Sequence, residues 1–170
     1  MTIAALLCSL AASAHDFEVD GIYYSITSSS DLTVAVTYRG SSYSSYYQEY
    51  SGVISIPSTV TYNGNTYSVA SIVDNAFNNC GITSINIPEG VTSIGNDTFY
   101  NCYSLISINI PESVTSIGDW VFSYCSSLTA ITCEAATPPT IGGSMTFYKV
   151  DRSIPVYVPA GLGRLMELNA

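Results

Sequence analysis

Positively charged residues are nearly absent from the sequence. Its 170 residues include only four lysines and arginines against 13 acids, which gives a net charge of −9. The bases are Arg39, Lys149, Arg152 and Arg164, so residues 40–148 contain seven acids and no base. Binding to nucleic acid or to an anionic membrane needs clustered bases that neutralise phosphates. The sequence therefore predicts no nucleic-acid partner and no attraction to an anionic membrane surface.

Residues that usually carry catalysis or bind metals are also scarce. The sequence has one histidine, His15, and none of its five cysteines forms a Cys-x-x-Cys pair. A cysteine nucleophile needs a neighbouring base, and a structural zinc site needs grouped cysteine and histidine ligands. We therefore predict no metal site and no cofactor.

The apolar run near the N-terminus is too short to span a membrane. It covers Ile3–Leu10, whereas a spanning helix takes about 20 residues. Ala12-Ser13-Ala14 follows as a small-x-small cleavage site, so residues 1–14 are predicted to be a secretory signal peptide. An N-terminal helix is the alternative. The signal predicts a secreted or cell-surface protein that does not insert into the membrane after cleavage.

A sequence unit repeats with a period of 23 residues. It contains Ile-Asn-Ile-Pro, Val-Thr-Ser-Ile-Gly and Phe-x-x-Cys, in that order, in residues 85–102 and again in residues 108–125. Equivalent positions such as Pro88 and Pro111 lie 111 − 88 = 23 residues apart. This period falls in the range of leucine-rich repeats, about 20–29 residues. The alternation predicts strands whose isoleucines face inward and whose asparagines face outward.

Imperfect copies extend the repeat over residues 53–159. They predict a β-rich leucine-rich repeat solenoid of about five rungs, with parallel strands and short helical turns, in which Phe147 takes the repeat phenylalanine position. Asn63-Gly64 indicates a hairpin inserted into the first copy. Asp20-Gly21 indicates another, within an N-terminal β cap over residues 15–52. Residues 160–170 are predicted to form a short C-terminal cap.

Four cysteines follow the predicted signal peptide: Cys80, Cys102, Cys125 and Cys133. An even number of cysteines in a secreted protein often indicates disulfides, and a strand separation of about 4.8 Å does not exclude a bond between rungs. The first three occupy equivalent repeat positions, however, and equivalent side chains of a solenoid point the same way. Buried free thiols acting as small hydrophobic groups are therefore favoured.

Polar residues recur three positions before each repeat phenylalanine, namely Asp74, Asn96 and Asp119. This is the position of an N-cap, and we predict that each caps a short helical turn. A column of calcium sites is the less favoured alternative, because a second position with bidentate acids is missing.

The repeat unit resembles the BspA-like, Treponema-type leucine-rich repeats. The resemblance rests on Leu105-x-x-Ile108-x-Ile110-Pro111-x-x-Val114-x-x-Ile117-Gly118-x-x-x-Phe122-x-x-Cys125, and imperfect copies cover Val53 to Pro159. It implies an extracytoplasmic solenoid of the kind found in surface proteins that adhere to host or microbial partners.

In such a solenoid, the outward residues of successive strands form one surface. We predict that it includes Ser84, Asn86, Ser107, Asn109, Thr132 and Tyr157. Trp120 and the tyrosine-rich segment with Tyr46 and Tyr47 are further candidates outside the strands, because Tyr and Trp offer large, rigid contact areas. Trp120 replaces Asn75 and Asp97 of other copies, so it either faces solvent or shields its own turn. The tyrosines either form a contact surface, lie flat over the cap or join an edge strand.

The sequence fits three kinds of function to different degrees. A non-enzymatic module that binds an extracellular protein or glycan is favoured; a structural or truncated paralogue that acts as a spacer in a surface assembly is the alternative. An enzyme is disfavoured. Glu89 and Glu112 share a repeat position and would stand at roughly the 5 Å of a retaining glycosidase pair, but any repeat produces such pairs.

Overall fold

The computed structural model describes residues 14–40 and 48–159 and builds them from strands and turns. The predicted signal peptide up to Ser13, the candidates Tyr46 and Tyr47, and the predicted C-terminal cap lie outside the described residues. Within the described ranges, no helix is long and apolar enough to cross a membrane.

An antiparallel meander forms the N-terminal end of the solenoid. It consists of β1 (Phe17–Val19), β2 (Ile22–Ser28) and β3 (Thr33–Thr37). Asp20 and Gly21 both have positive φ, at 51° and 79°, as a two-residue type I′ turn requires. The predicted hairpin cap is thus confirmed.

The inserted hairpin connects this cap to the repeats. After β4 (Ser51–Ser55), β5 (Thr59–Tyr62) pairs antiparallel with β6 (Asn65–Ile72) around a second turn with positive φ at Asn63 and Gly64. The long β6 also pairs in parallel with β3. The cap is therefore hydrogen-bonded into the same sheet as the repeats.

Two parallel sheets run the length of the solenoid. The first contains β4, β7 (Gly81–Asn86), β9 (Ser107–Ile110), β11 (Ala130–Cys133) and β13 (Val156–Tyr157). The second continues from β6 through β8 (Ser93–Ile94), β10 (Ser116–Ile117) and β12 (Thr140–Ile141). Four rungs contribute one strand to each sheet, and the last described rung contributes β13 to the first sheet only. The predicted parallel repeat solenoid is thus confirmed.

A stack of aromatic rings lies in the core between the sheets. Phe77 stacks on Phe99 at 5.5 Å between ring centroids, and Phe99 stacks on Phe122 at 5.8 Å, with planes within 10° of parallel. Tyr50 extends the stack at the cap end and Phe147 at the other. The three central phenylalanines are completely buried. The predicted repeat position of Phe147 is confirmed.

The segments that connect the second sheet to the first are successive turns, and the predicted short helical turns are not formed. In one segment, Tyr100 N–H donates to the Asp97 carbonyl and Cys102 N–H to the Phe99 carbonyl, both at 3.1 Å. Asp97 and Asn101 have positive φ, at 53° and 55°. A helix cannot continue through left-handed residues, so this segment bends twice.

The predicted N-caps act between rungs. Asp74 Oδ1 accepts from the backbone N–H of Asn96 at 2.7 Å, and Asn96 Oδ1 accepts from the N–H of Asp119 at 2.8 Å. The N-cap prediction is wrong for Asp74 and Asn96, because the backbone donor nearest to each side-chain oxygen belongs to the following rung. These bonds form a polar ladder along the solenoid.

The four described cysteines are buried and free. Cys102 Sγ donates to the Phe77 carbonyl at 3.0 Å, and Cys125 Sγ donates to the Phe99 carbonyl at 3.1 Å. Burial raises the pKa of Cys125 to about 12 and that of Cys80 to about 11. The preference for buried thiols over disulfides is confirmed. The thiols of Cys102 and Cys125 also link neighbouring rungs by hydrogen bonds.

We expect iodoacetamide to alkylate these four cysteines only after unfolding. Burial blocks access to all four, and the raised pKa values of Cys80, Cys102 and Cys125 also suppress their thiolates. Native labelling at pH 8 should therefore be about a hundredfold slower than in 8 M urea. Peptide mass spectrometry follows each cysteine separately. Labelling of Cys102 at equal rates in both conditions, or its recovery as a disulfide, would contradict this arrangement.

Candidate functional site

The outward side chains of the first sheet form a continuous surface, which we call the strand face. Pairing between neighbouring strands aligns them in two columns. One column contains Val53, Ser84, Ser107 and Ala130; the other contains Ser55, Asn86, Asn109, Thr132 and Tyr157. Five strands at roughly 4.8 Å spacing span about 20 Å. The structure thus brings together all six strand residues that the sequence indicated.

The strand face is polar at its centre and carries large side chains at its ends. Ser107 and Asn86 are exposed, whereas Asn109 is half-buried and donates its amide to Glu134 Oε1 at 2.8 Å. Val53 at one end is 76% exposed and Tyr157 at the other 56%. A ligand lying across the rungs would meet hydroxyl and amide groups between two larger contacts.

A concavity adjoins the cap end of the strand face. Its volume is about 210 Å³, and it lies between the β1–β2 turn and β4, lined by Val19, Asp20, Gly21, Ile22, Val53, Ile54, Ser55 and Pro57. Val53 and Ser55 belong to both surfaces. The concavity therefore extends the strand face beyond its first rung, a feature that sequence reasoning missed because the hairpin and β4 are far apart in the chain.

Glu89 and Glu112 are not arranged as an acid–base pair over an open site. The Glu89 carboxylate accepts from the backbone N–H of Glu112 at 3.3 Å and from that of Ser113 at 3.2 Å. It thus closes the turn of the next rung. In residues 14–40 and 48–159, no group of three or more His, Cys, Asp or Glu side chains could hold a metal ion.

Trp120 lies apart from the strand face, on the turns that join the two sheets. Its ring packs against Tyr100 at 6.3 Å and Tyr148 at 5.9 Å, and Tyr124 contacts both tyrosines at 5.4 and 5.5 Å. We call these four residues the aromatic cluster. Trp120 is half-buried, so it both faces solvent and packs over its turn.

The tyrosine-rich segment is described only in part. Tyr50 is buried, where its hydroxyl donates to the Thr37 carbonyl at 2.9 Å and accepts from Tyr23 N–H at 3.2 Å. Burial raises the pKa of Tyr50 far above its usual value. This tyrosine packs into the cap and is not a contact residue, whereas the contact role of Tyr46 and Tyr47 stays a prediction.

The repeats of this chain match a known family of sequences. A family model described as the BspA type leucine rich repeat region matches residues 43–163 in six copies. No curated protein matches the sequence.

Solved structures of bacterial leucine-rich repeat proteins are similar to this chain. One from Bacteroides ovatus is 34% identical over 85% of the chain, with a TM-score of 0.65. One from Bacteroides capillosus is 27% identical over 85%, with a TM-score of 0.68, and a leucine-rich cell surface protein from Faecalibacterium prausnitzii is 25% identical over 87%, with a TM-score of 0.59. The chain spans 98% of the B. capillosus protein but only 37% and 43% of the other two.

Proposed function

Since the chain belongs to the BspA-type leucine-rich repeat family, we propose that it is an extracytoplasmic binding module whose strand face contacts an extracellular protein or glycan. The repeat scaffold supports a binding role, and the similar F. prausnitzii structure is named a cell surface protein. Adhesion is the function that fits a module of this kind.

The continuous alignment of outward side chains carries this proposal. Successive strands keep their register, since Asn86 pairs with Asn109, and Asn109 with Thr132. An extended peptide or short glycan that repeats at a similar spacing could contact one rung after another. Tyr157 offers the kind of aromatic contact that commonly dominates binding energy.

The polar character of the strand face favours a ligand with hydrogen-bonding groups. Serine, threonine and asparagine side chains supply both donors and acceptors. The seven acids and absent bases of residues 40–148 disfavour strongly anionic partners. A neutral glycan or an extended polar peptide therefore fits better than a sulfated or phosphorylated chain.

Substitution at the centre of the strand face tests the proposal. A glycan array or a displayed peptide library first identifies the ligand that binds most tightly. We expect Ser107→Arg to lower the affinity for that ligand by more than about tenfold, because the bulk of the arginine interrupts contact with adjacent rungs. Thr129→Arg is the matched control, since Thr129 is also exposed but lies outside both columns. If both variants lose affinity equally, or if Ser107→Arg keeps its affinity, the ligand binds outside the strand face.

Export is proposed from the predicted signal peptide and the named surface protein among the similar structures. Protease added to intact cells should degrade the protein while a cytoplasmic marker remains whole. Protection in intact cells and degradation only after outer-layer disruption would locate it internally and argue against adhesion.

A further inference from the structure

The aromatic cluster is built from positions that are small or polar in other rungs. Backbone hydrogen bonds between the turns align Tyr100, Ser123 and Tyr148 in three successive rungs. The small, buried Ser123 thus lies between the two tyrosines, with Trp120 and Tyr124 contributed by its own rung. Neighbouring rings of the cluster meet at angles of 56° to 74°. The four rings therefore pack edge to face and do not form a parallel stack.

Two residues of the cluster have a strained backbone conformation. Trp120 has φ 58° and Tyr124 has φ 61°, in the left-handed region that suits glycine and asparagine and strains bulky residues. Other rungs have Asn75, Asn79 and Asn101 at the equivalent positions, also with positive φ. Because Tyr124 is still 37% exposed, core packing does not account for its ring. Such strained, exposed aromatic residues indicate a surface used for contact.

A concavity with acidic character opens beside the cluster. Its volume is about 400 Å³, within the range of ligand pockets, and it is lined by Asn75, Asn78, Asp97, Tyr100 and Trp120. The same repeat position holds Asn75 and Asp97 in two rungs and the much larger Trp120 in the next. The Trp120 ring therefore forms one wall of the concavity. Burial raises the pKa of Asp97 above its usual value, and the nearby carboxylates of Asp74 and Asp119 raise it further.

The chain itself places a cation on this surface. Lys149 Nζ lies 5.5 Å from the centroid of the Tyr148 ring, within the range of a cation–π contact. The concavity lies at the other end of the cluster, where Tyr100 and Trp120 supply its aromatic wall and Asp97 adds a carboxylate. None of its described lining residues is a base. Tryptophan gives the strongest cation–π contact of the aromatic residues.

We infer that this concavity, lined by Asp97, Tyr100 and Trp120, binds a cationic side chain of a partner protein, either arginine or lysine. The bound cation stacks on the two rings and forms an ion pair with Asp97. The partner segment is basic, because it approaches three neighbouring carboxylates on a chain with net charge −9. A neutral sugar would use the rings and amides but gain nothing from those carboxylates. The inference goes beyond the strand-face proposal and holds or fails independently of it.

The single tryptophan of the chain reports directly on this site. A peptide with two arginines separated by glycines is titrated at 150 mM salt while Trp120 emission is followed. The same peptide with glutamine in place of arginine, and a neutral disaccharide, serve as comparison ligands. We expect the arginine peptide to change the emission saturably and the other two to leave it unchanged. A saturable change with the disaccharide alone would overturn the inference.

Variants taken from the repeat itself separate the site from general charge attraction. Binding of a fluorescently labelled arginine peptide is measured by anisotropy. Trp120→Asn, which restores the Asn75 type of residue, should weaken binding about tenfold, and Asp97→Asn about threefold. Trp120→Phe should retain binding within about threefold. Thermal unfolding checks that each variant folds.

The matched charge control is Glu112→Gln, which removes one exposed carboxylate away from the cluster. It should leave affinity unchanged. If Glu112→Gln weakens binding as much as Asp97→Asn, or if Trp120→Asn binds as well as the parent, the peptide is attracted by net charge alone and the inference is wrong. Ser107→Arg should not alter peptide affinity, so failure of the strand-face proposal remains distinguishable.

Discussion

Replacing Gly118 by alanine is expected to destabilise the protein by about 3 kcal/mol or more. A Cβ at this position would meet the Asn96 backbone N at 2.6 Å and its Oδ1 at 2.7 Å, far inside normal contact. These atoms belong to the polar ladder that holds neighbouring rungs at fixed spacing. Relief would need the rungs to separate, which breaks hydrogen bonds in both sheets.

Thermal and urea unfolding measure this effect. For a chain of this size, the loss corresponds to a fall in Tm of about 6–12 °C. Gly81→Ala is the control, because its Cβ would lie 3.8 Å from the Ser51 Cβ, an ordinary contact, and Gly81 has no positive φ. It should change stability by less than about 1 kcal/mol. A comparable fall in both variants would show that crowding against Asn96 is not the cause of the loss at Gly118.

Phe99→Ala should cost about 3–5 kcal/mol. Phe99 is completely buried and stacks on Phe77 and Phe122, so alanine leaves a cavity in the middle of the core. The backbone on both sides is held by parallel pairing to adjacent rungs, which prevents the cavity from closing. Urea unfolding with two independent probes, far-UV circular dichroism and Trp120 emission, measures the loss.

Phe147→Ala provides the comparison at the end of the same stack. Phe147 is half-buried and stacks on Phe122 at 5.4 Å. Less apolar surface is lost there, so we expect no more than about 2 kcal/mol. Solenoid stability is approximately a sum over neighbouring repeats, so an interior defect should uncouple more rungs than a terminal one. Equal losses at the two positions would argue against this additive picture.

Most of the fold could be predicted because its signals are local and periodic. The isoleucine alternation, the 23-residue period and the Asp-Gly and Asn-Gly turns each specify geometry within a few residues. Asp74 and Asn96 show where this reasoning fails. Their spacing from phenylalanine fits an N-cap, but the left-handed residues at Asn75 and Asp97 prevent a helix and turn the side chains toward the next rung.

The strand face was predictable for the same reason, since outward residues follow directly from strand register. The aromatic cluster was not. Tyr100, Trp120, Tyr124 and Tyr148 come from three rungs and from three different repeat positions, so no spacing in the sequence connects them. The cluster could be detected only by comparing the same repeat position across rungs. At the positions of the cluster, aromatic residues replace the asparagine, aspartate or serine of other rungs.

The polar ladder has a consequence for how the length of such proteins changes. Asn96 donates its backbone N–H to Asp74 and offers its side-chain oxygen to Asp119, so one rung carries both halves of the contact. Duplication of a single repeat therefore brings its own connections to the rungs before and after it. Copy number can rise or fall by recombination without any new interface having to evolve, while the contact residues of each added rung are free to diverge.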